Sequence, residues 1–90
     1  MHELDIRRAL DRAARARAIL EDDLVVEAFA RLERRLHGNW AGSAAGDHDQ
    51  REQAYRALRA LQDFKAEFAR LLSDGQVAER DLAELQQRRG

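Results

Sequence analysis

Apolar residues recur at helical spacing along most of this chain, and no proline interrupts the pattern. Ile6, Leu10, Ala13, Leu20 and Leu24 are separated by three, four or seven residues, which places them on one face of a helix. Val25, Phe29, Leu32 and Leu36 continue a similar stripe, rotated by about a quarter turn. The rotation coincides with Glu21, Asp22 and Asp23. Two arrangements satisfy it: a continuous helix that changes neighbours there, or a second helix capped by Asp22 or Asp23. Acidic residues suit a helix start, but no capping box follows. The sequence therefore favours one continuous or merely bent helix over about 3–37.

The stretch "HGNWAGSAAGDHDQ" interrupts the helical pattern, and a loop is expected over 38–49. Asp49 and Glu52 have the spacing of a capping box, in which each side chain satisfies the other's backbone N–H. A helix over 50–73 follows, ended by Ser73, Asp74 and Gly75, with Gly75 suited to a left-handed C-cap. "VAERDLAEL" reads as a last short helix over 76–88, with Val77, Leu82 and Leu85 inward.

The lengths then close an architecture. A helix of about 35 residues is ~52 Å long, and the second and third helices together have nearly the same length. The expected fold is a single all-α domain over 1–90: a long antiparallel helical hairpin, with the short third C-terminal helix returning along the N-terminal half of the first. Leu36 would lie near Arg51, Phe29 near Leu58, Leu20 near Phe68 and Leu10 near Val77.

Such a hairpin leaves apolar surface uncovered. Leu58, Leu61, Phe68 and Leu72 form one stripe of the second helix; Ala57, Ala60, Phe64 and Leu71 form an adjacent one. The combined stripe is wider than an amphipathic surface helix needs. Ile19 and Val26, seven apart, also point away from the first stripe. Either this is ordinary exposed apolar surface, or it pairs with another copy or another protein, as small helical domains often require. The second reading is favoured, and it makes Ile19, Val26, Trp40, Ala57, Ala60, Phe64 and Leu71 candidate interface residues.

Trp40, the only tryptophan, is read here on the glycine-rich segment. It folds back onto Leu36 and Tyr55 to seal the open end of the hairpin, or it anchors a partner. Sealing is favoured, because an apolar surface is then within reach without a partner.

Composition narrows the function. With no cysteine, thiol catalysis, disulfides and cysteine-ligated zinc are excluded. Asp47, His48, Asp49 and His37 lack the convergence that a metal site needs, and no nucleophile constellation or phosphate loop is present. The chain is expected to have no enzymatic activity, no cofactor and no small-molecule substrate. No apolar run approaches a membrane span and the N-terminus lacks a signal-peptide core, so a cytoplasmic site, or a virion assembled there, is expected.

Arg7, Arg8, Arg12 and Arg15, with Arg88 and Arg89 brought close by the hairpin, could meet phosphates. The net charge is nevertheless only -1, and Glu3, Asp5, Asp11, Glu79, Asp81 and Glu84 share the same end. A salt-bridged solvated face is favoured over nucleic-acid or acidic-protein contact.

"VEAFARLERRLHGNW" followed by "REQAYRALRALQDFKAEFARLLSDGQVAERDLAEL" resembles short helical proteins of tailed bacteriophages and prophages. Phe29, Trp40, Arg51, Glu52, Asp74, Gly75 and Ala78 carry the likeness, which covers about 24–85 and leaves the arginine-rich start unmatched. Such genes tend to lie in virion-assembly regions, so the resemblance implies a non-enzymatic virion component or assembly factor. The alternatives are a small adaptor or inhibitor docking on a host or phage protein, and a DNA-packaging accessory using the arginine-rich face.

Overall fold

The computed structural model describes residues 2–42 and 46–89. These residues are 94% helical, with no strand among them. Three helices follow one another: α1 (Glu3–Glu21), α2 (Asp23–Ala41) and α3 (His48–Arg89). Two compact units divide the chain. The terminal unit comprises Met1–Glu21 and Glu67–Gly90, and the central unit comprises Asp22–Ala66.

The expected continuous helix over 3–37 is broken. Asp22 has an extended backbone (φ -65°, ψ 126°), and its side chain accepts from the Leu24 and Val25 amides. Those bonds, at 2.9 and 3.2 Å, satisfy two amides that a helix start otherwise leaves unpaired. One aspartate thus suffices to start α2 without a capping box. Asp22→Ala is expected to lower stability by about 1 kcal/mol, read from the urea midpoint. A continuous helix would respond with the opposite sign, since alanine is the better helix former.

The connection is shorter than the expected loop over 38–49. α2 continues through Trp40 to Ala41, and Gly42 closes it with a 2.8 Å bond from its amide to the Gly38 carbonyl. Gly46 holds φ +114°, a conformation that L side chains rarely adopt. The expected capping box at Asp49 and Glu52 gives way to Asp47, whose Oδ1 accepts from the Gln50 amide at 3.0 Å. Glu52 instead bridges Arg56 one turn on, at 2.9 Å. Residues 43–45 of the expected loop lie outside the described residues.

The expected break at Asp74 and Gly75 is absent. The two helices expected over 50–73 and 76–88 are one 42-residue helix, so the short third helix of the expected fold is the last part of α3. Gly75 is buried there, and a Cβ added to it would overlap the Ala13 Cβ. The glycine lets α1 approach α3 closely; it does not end a helix. Val77, Leu82 and Leu85 are half-buried on this stretch.

In the terminal unit, α1 runs antiparallel to the C-terminal part of α3. Gly75 meets Ala13, and Arg89 reaches Glu3 at 3.0 Å. The core there is Ile6, Ala13, Ala16 and Ala78, all buried, with Ile6 the largest fully buried side chain described. Small residues permit close helix contact but bury little area each, so Ile6 contributes more apolar burial than any of these alanines.

In the central unit, α2 and the first part of α3 form an antiparallel pair. Leu36 shares a groove with Gln50, Gln53 and Ala54, close to the level expected from Arg51. Phe29 packs with its ring centroid 6.0 Å from Phe64, six residues beyond the expected level of Leu58. Among the described residues of this unit, Ala54 and Leu61 are the buried apolar ones.

The two apolar stripes are drawn on in different stretches of α3. The central unit buries Ala54 and Leu61 and half-buries Leu58, whereas the terminal unit buries Gly75 and Ala78 and half-buries Leu71 and Leu82. Part of the apparent excess width is therefore internal packing. Within each unit the helices pair antiparallel, but through helices of other lengths than expected.

Candidate functional site

The exposed large apolar side chains concentrate in the central unit: Leu24, Val26, Trp40, Tyr55 and Phe64, against Leu4 and Ile19 in the terminal unit. Trp40 occupies the last turn of α2, not a mobile loop, and is 50% exposed. Tyr55, on the first part of α3, is 58% exposed. With His37, Leu58, Arg59 and Gln62 they line an open, mainly apolar groove of about 390 Å³.

Trp40 and Tyr55 share one groove, as expected of a ring folded back towards Tyr55, but Trp40 stays half exposed and Leu36 lines a different groove, with Asn39 and Ala57. Trp40 is presented on a helical turn, which lowers the ordering cost of using it as a contact relative to an irregular segment.

Two charged groups at or near the groove are paired. Lys65 Nζ lies 2.8 Å from Glu33 Oε1 in a partly buried pair, and 5.8 Å from the Phe29 ring centroid. The aromatic face and the carboxylate together hold the only lysine of the chain. Arg59 Nε lies 3.6 Å from Asp63.

A second apolar strip lies on α2 itself. Leu24, Ala28 and Leu32 are bordered by Glu27, Arg31 and Arg35, and Arg31 bridges Glu27 at 3.1 Å. Leu24 is 76% exposed. A continuous helix would place Leu24 on the inward stripe with Ile6; the break at Asp22 removes that phase relation.

Among the other candidates, Val26 and Phe64 are exposed, Ala60 is exposed, and Ala57 is half-buried. Phe64 both contacts Phe29 and presents 54% of its surface. In the terminal unit, Ile19 and the half-buried Leu71 share a groove with Arg12, Arg15, Ala16 and Phe68. Tyr55 belongs with these candidates, although the sequence points to it only as a support for Trp40. Its spacing to Leu58 and Gln62, three and seven residues on, carried the signal.

The arginines proposed for phosphate contact are partly occupied. Arg7 and Arg89 converge on Glu3, at 3.2 and 3.0 Å. The hydrogen bond from Arg89, then that from Arg7, holds the Glu3 carboxyl below the usual carboxylate range. Arg15 faces Asp11 at 3.6 Å. Arg8 and Arg12 share a groove with Asp5, Ala9, Leu71 and Asp74, and Arg88 lies in the last turn of α3. Of the acidic residues expected to share this end, Glu3 and Asp11 form these pairs. Such exposed pairs contribute little to stability.

Among the described residues, no group of three or more His, Asp or Glu side chains could hold a metal ion. No described helix is long and apolar enough to cross a membrane. No protein-family model, no curated protein and no solved structure matches this chain.

Proposed function

We propose that this chain is a non-enzymatic structural or assembly protein of a phage-like particle, acting by helix packing in multiple copies. The observation that carries this reading is the mismatch in the central unit between its core and its surface. Among its described residues Ala54 and Leu61 are the buried apolar ones, while Trp40, Tyr55 and Phe64 each present about half their surface. A pair of helices with so thin an interior gains stability from further apolar cover, and small domains commonly obtain it by association. The resemblance of residues 24–85 to short phage helical proteins supplies the biological setting.

Co-sedimentation tests the reading. Tagged protein expressed in a culture producing tailed phage is expected to travel with particles or their precursors through a density gradient. Recovery only as a monomer in the soluble fraction would overturn it. A one-to-one complex with a host protein would point to the adaptor reading instead, and salt-sensitive DNA retention to the packaging accessory.

A further inference from the structure

We propose that the face of the central unit carrying Trp40 and Tyr55 docks a second copy of this chain, giving a two-fold symmetric dimer built on a four-helix bundle. The inference rests on the packing role proposed above and names its first contact.

Charge selects the face. In a two-fold interface each group meets its own surroundings again, so an uncompensated charge would confront its like. Beside the Trp40 groove, Lys65 is held by Glu33 at 2.8 Å, and Arg59 by Asp63 at 3.6 Å. Two copies can therefore meet without opposing bare charges of one sign. The Leu24 strip carries Arg35 beside the Glu27-bridged Arg31, and the Ile19 groove carries Arg12 beside the Asp11-bridged Arg15. A copy seated on either brings the Arg35 or the Arg12 guanidinium towards its like, which costs affinity.

Area sets the strength. α2 has 19 residues, hence ~28 Å of length. With its neighbour ~10 Å away, the pair presents a face roughly 20 Å wide, or ~560 Å² per copy. The total of ~1,100 Å² is at the lower edge of specific interfaces. That suits a reversible dimer in the micromolar range rather than an obligate one. Val26 extends the face towards the start of α2, fourteen residues before Trp40. Trp40 and Tyr55 supply the large, two-torsion side chains on which such small interfaces depend. Two antiparallel pairs stacked on this face complete a four-helix bundle.

The test is sedimentation equilibrium from about 1 μM to about 1 mM, with Trp40 emission followed in parallel. The expected result is a monomer–dimer transition accompanied by a blue shift at the same midpoint, because Trp40 becomes covered. Tyr55→Ser leaves the reporter in place and is expected to raise the dimer dissociation constant at least ~10-fold. Trp40→Ala, which removes two rings per dimer, is expected to raise it at least ~30-fold. Both positions are about half exposed, and helical circular dichroism checks that each variant stays folded. Leu24→Ser, on the other strip, is expected to leave dimerisation unchanged.

A dimer weakened by Leu24→Ser and indifferent to Tyr55→Ser would overturn this interface while leaving the packing role intact. An association that leaves Trp40 emission unchanged would do the same. A monomer at every concentration overturns the dimer; if the chain also fails to travel with particles, the packing role falls with it.

Discussion

Gly75→Ala is expected to destabilise the protein by about 1–3 kcal/mol, the range for overpacking a tight contact. Mid-helix glycine is ordinarily a weakness, and alanine there improves stability by up to ~1 kcal/mol. At Gly75 the added methyl would overlap the Ala13 Cβ, an atom fixed to the α1 backbone that no rotamer change can move. Relief requires α1 and α3 to separate, which loosens the contact around buried Ala16 and Ala78. Gly38 is the internal control. It lies within α2, and a Cβ there would meet nothing within 4 Å. Gly38→Ala is therefore expected to stabilise. Urea denaturation of the two variants should give midpoints shifted in opposite directions. Ala13→Gly in the Gly75→Ala background should recover part of the loss by removing the opposing methyl. Equal stabilisation by both alanines would show that α1 does not approach α3 at this point.

Ile6→Ala is expected to cost about 2–5 kcal/mol, the range for emptying a buried aliphatic site. Ile6 is fully buried, and the other buried apolar residues described in its unit are alanines, too small to fill the space it would vacate. The loss is a large fraction of the 5–15 kcal/mol typical of a whole domain. Leu24→Ala makes the comparison sharp. Both residues fall on one stripe when the chain is read as a single helix, and that reading predicts similar costs. With Leu24 at 76% exposure, its truncation should change stability by no more than ~0.5 kcal/mol. Comparable losses at the two positions, in guanidinium melts under identical conditions, would contradict the structure.

These contrasts separate what was legible from what was not. Helix was legible nearly everywhere, because propensity and the three-four-seven spacing of Ile6, Leu10, Ala13, Phe29 and Leu61 are properties of the chain itself. The reversal near residue 42 was legible too, though its edges moved by several residues. Gly38 and Trp40 look like loop residues only if glycine is assumed to break a helix. The candidate surface was half legible: Trp40, Phe64 and Val26 were identified, Tyr55 was not. Leu24 was assigned to the interior.

The sequence by itself determined that the described chain is helical and that it carries more apolar surface than one hairpin covers. Both follow from short-range spacing along α1, α2 and α3. Tertiary structure decided the rest. Asp22 starts a helix because its carboxylate reaches two backbone amides, a local geometry that Asp23 or Asp49 could equally have adopted on sequence grounds. Gly75 sits inside a helix because Ala13 lies against it from α1, a residue 62 positions away. The same glycine at a helix end would be a cap. No pattern within a few residues distinguishes the two, since the difference resides in what packs against the missing side chain.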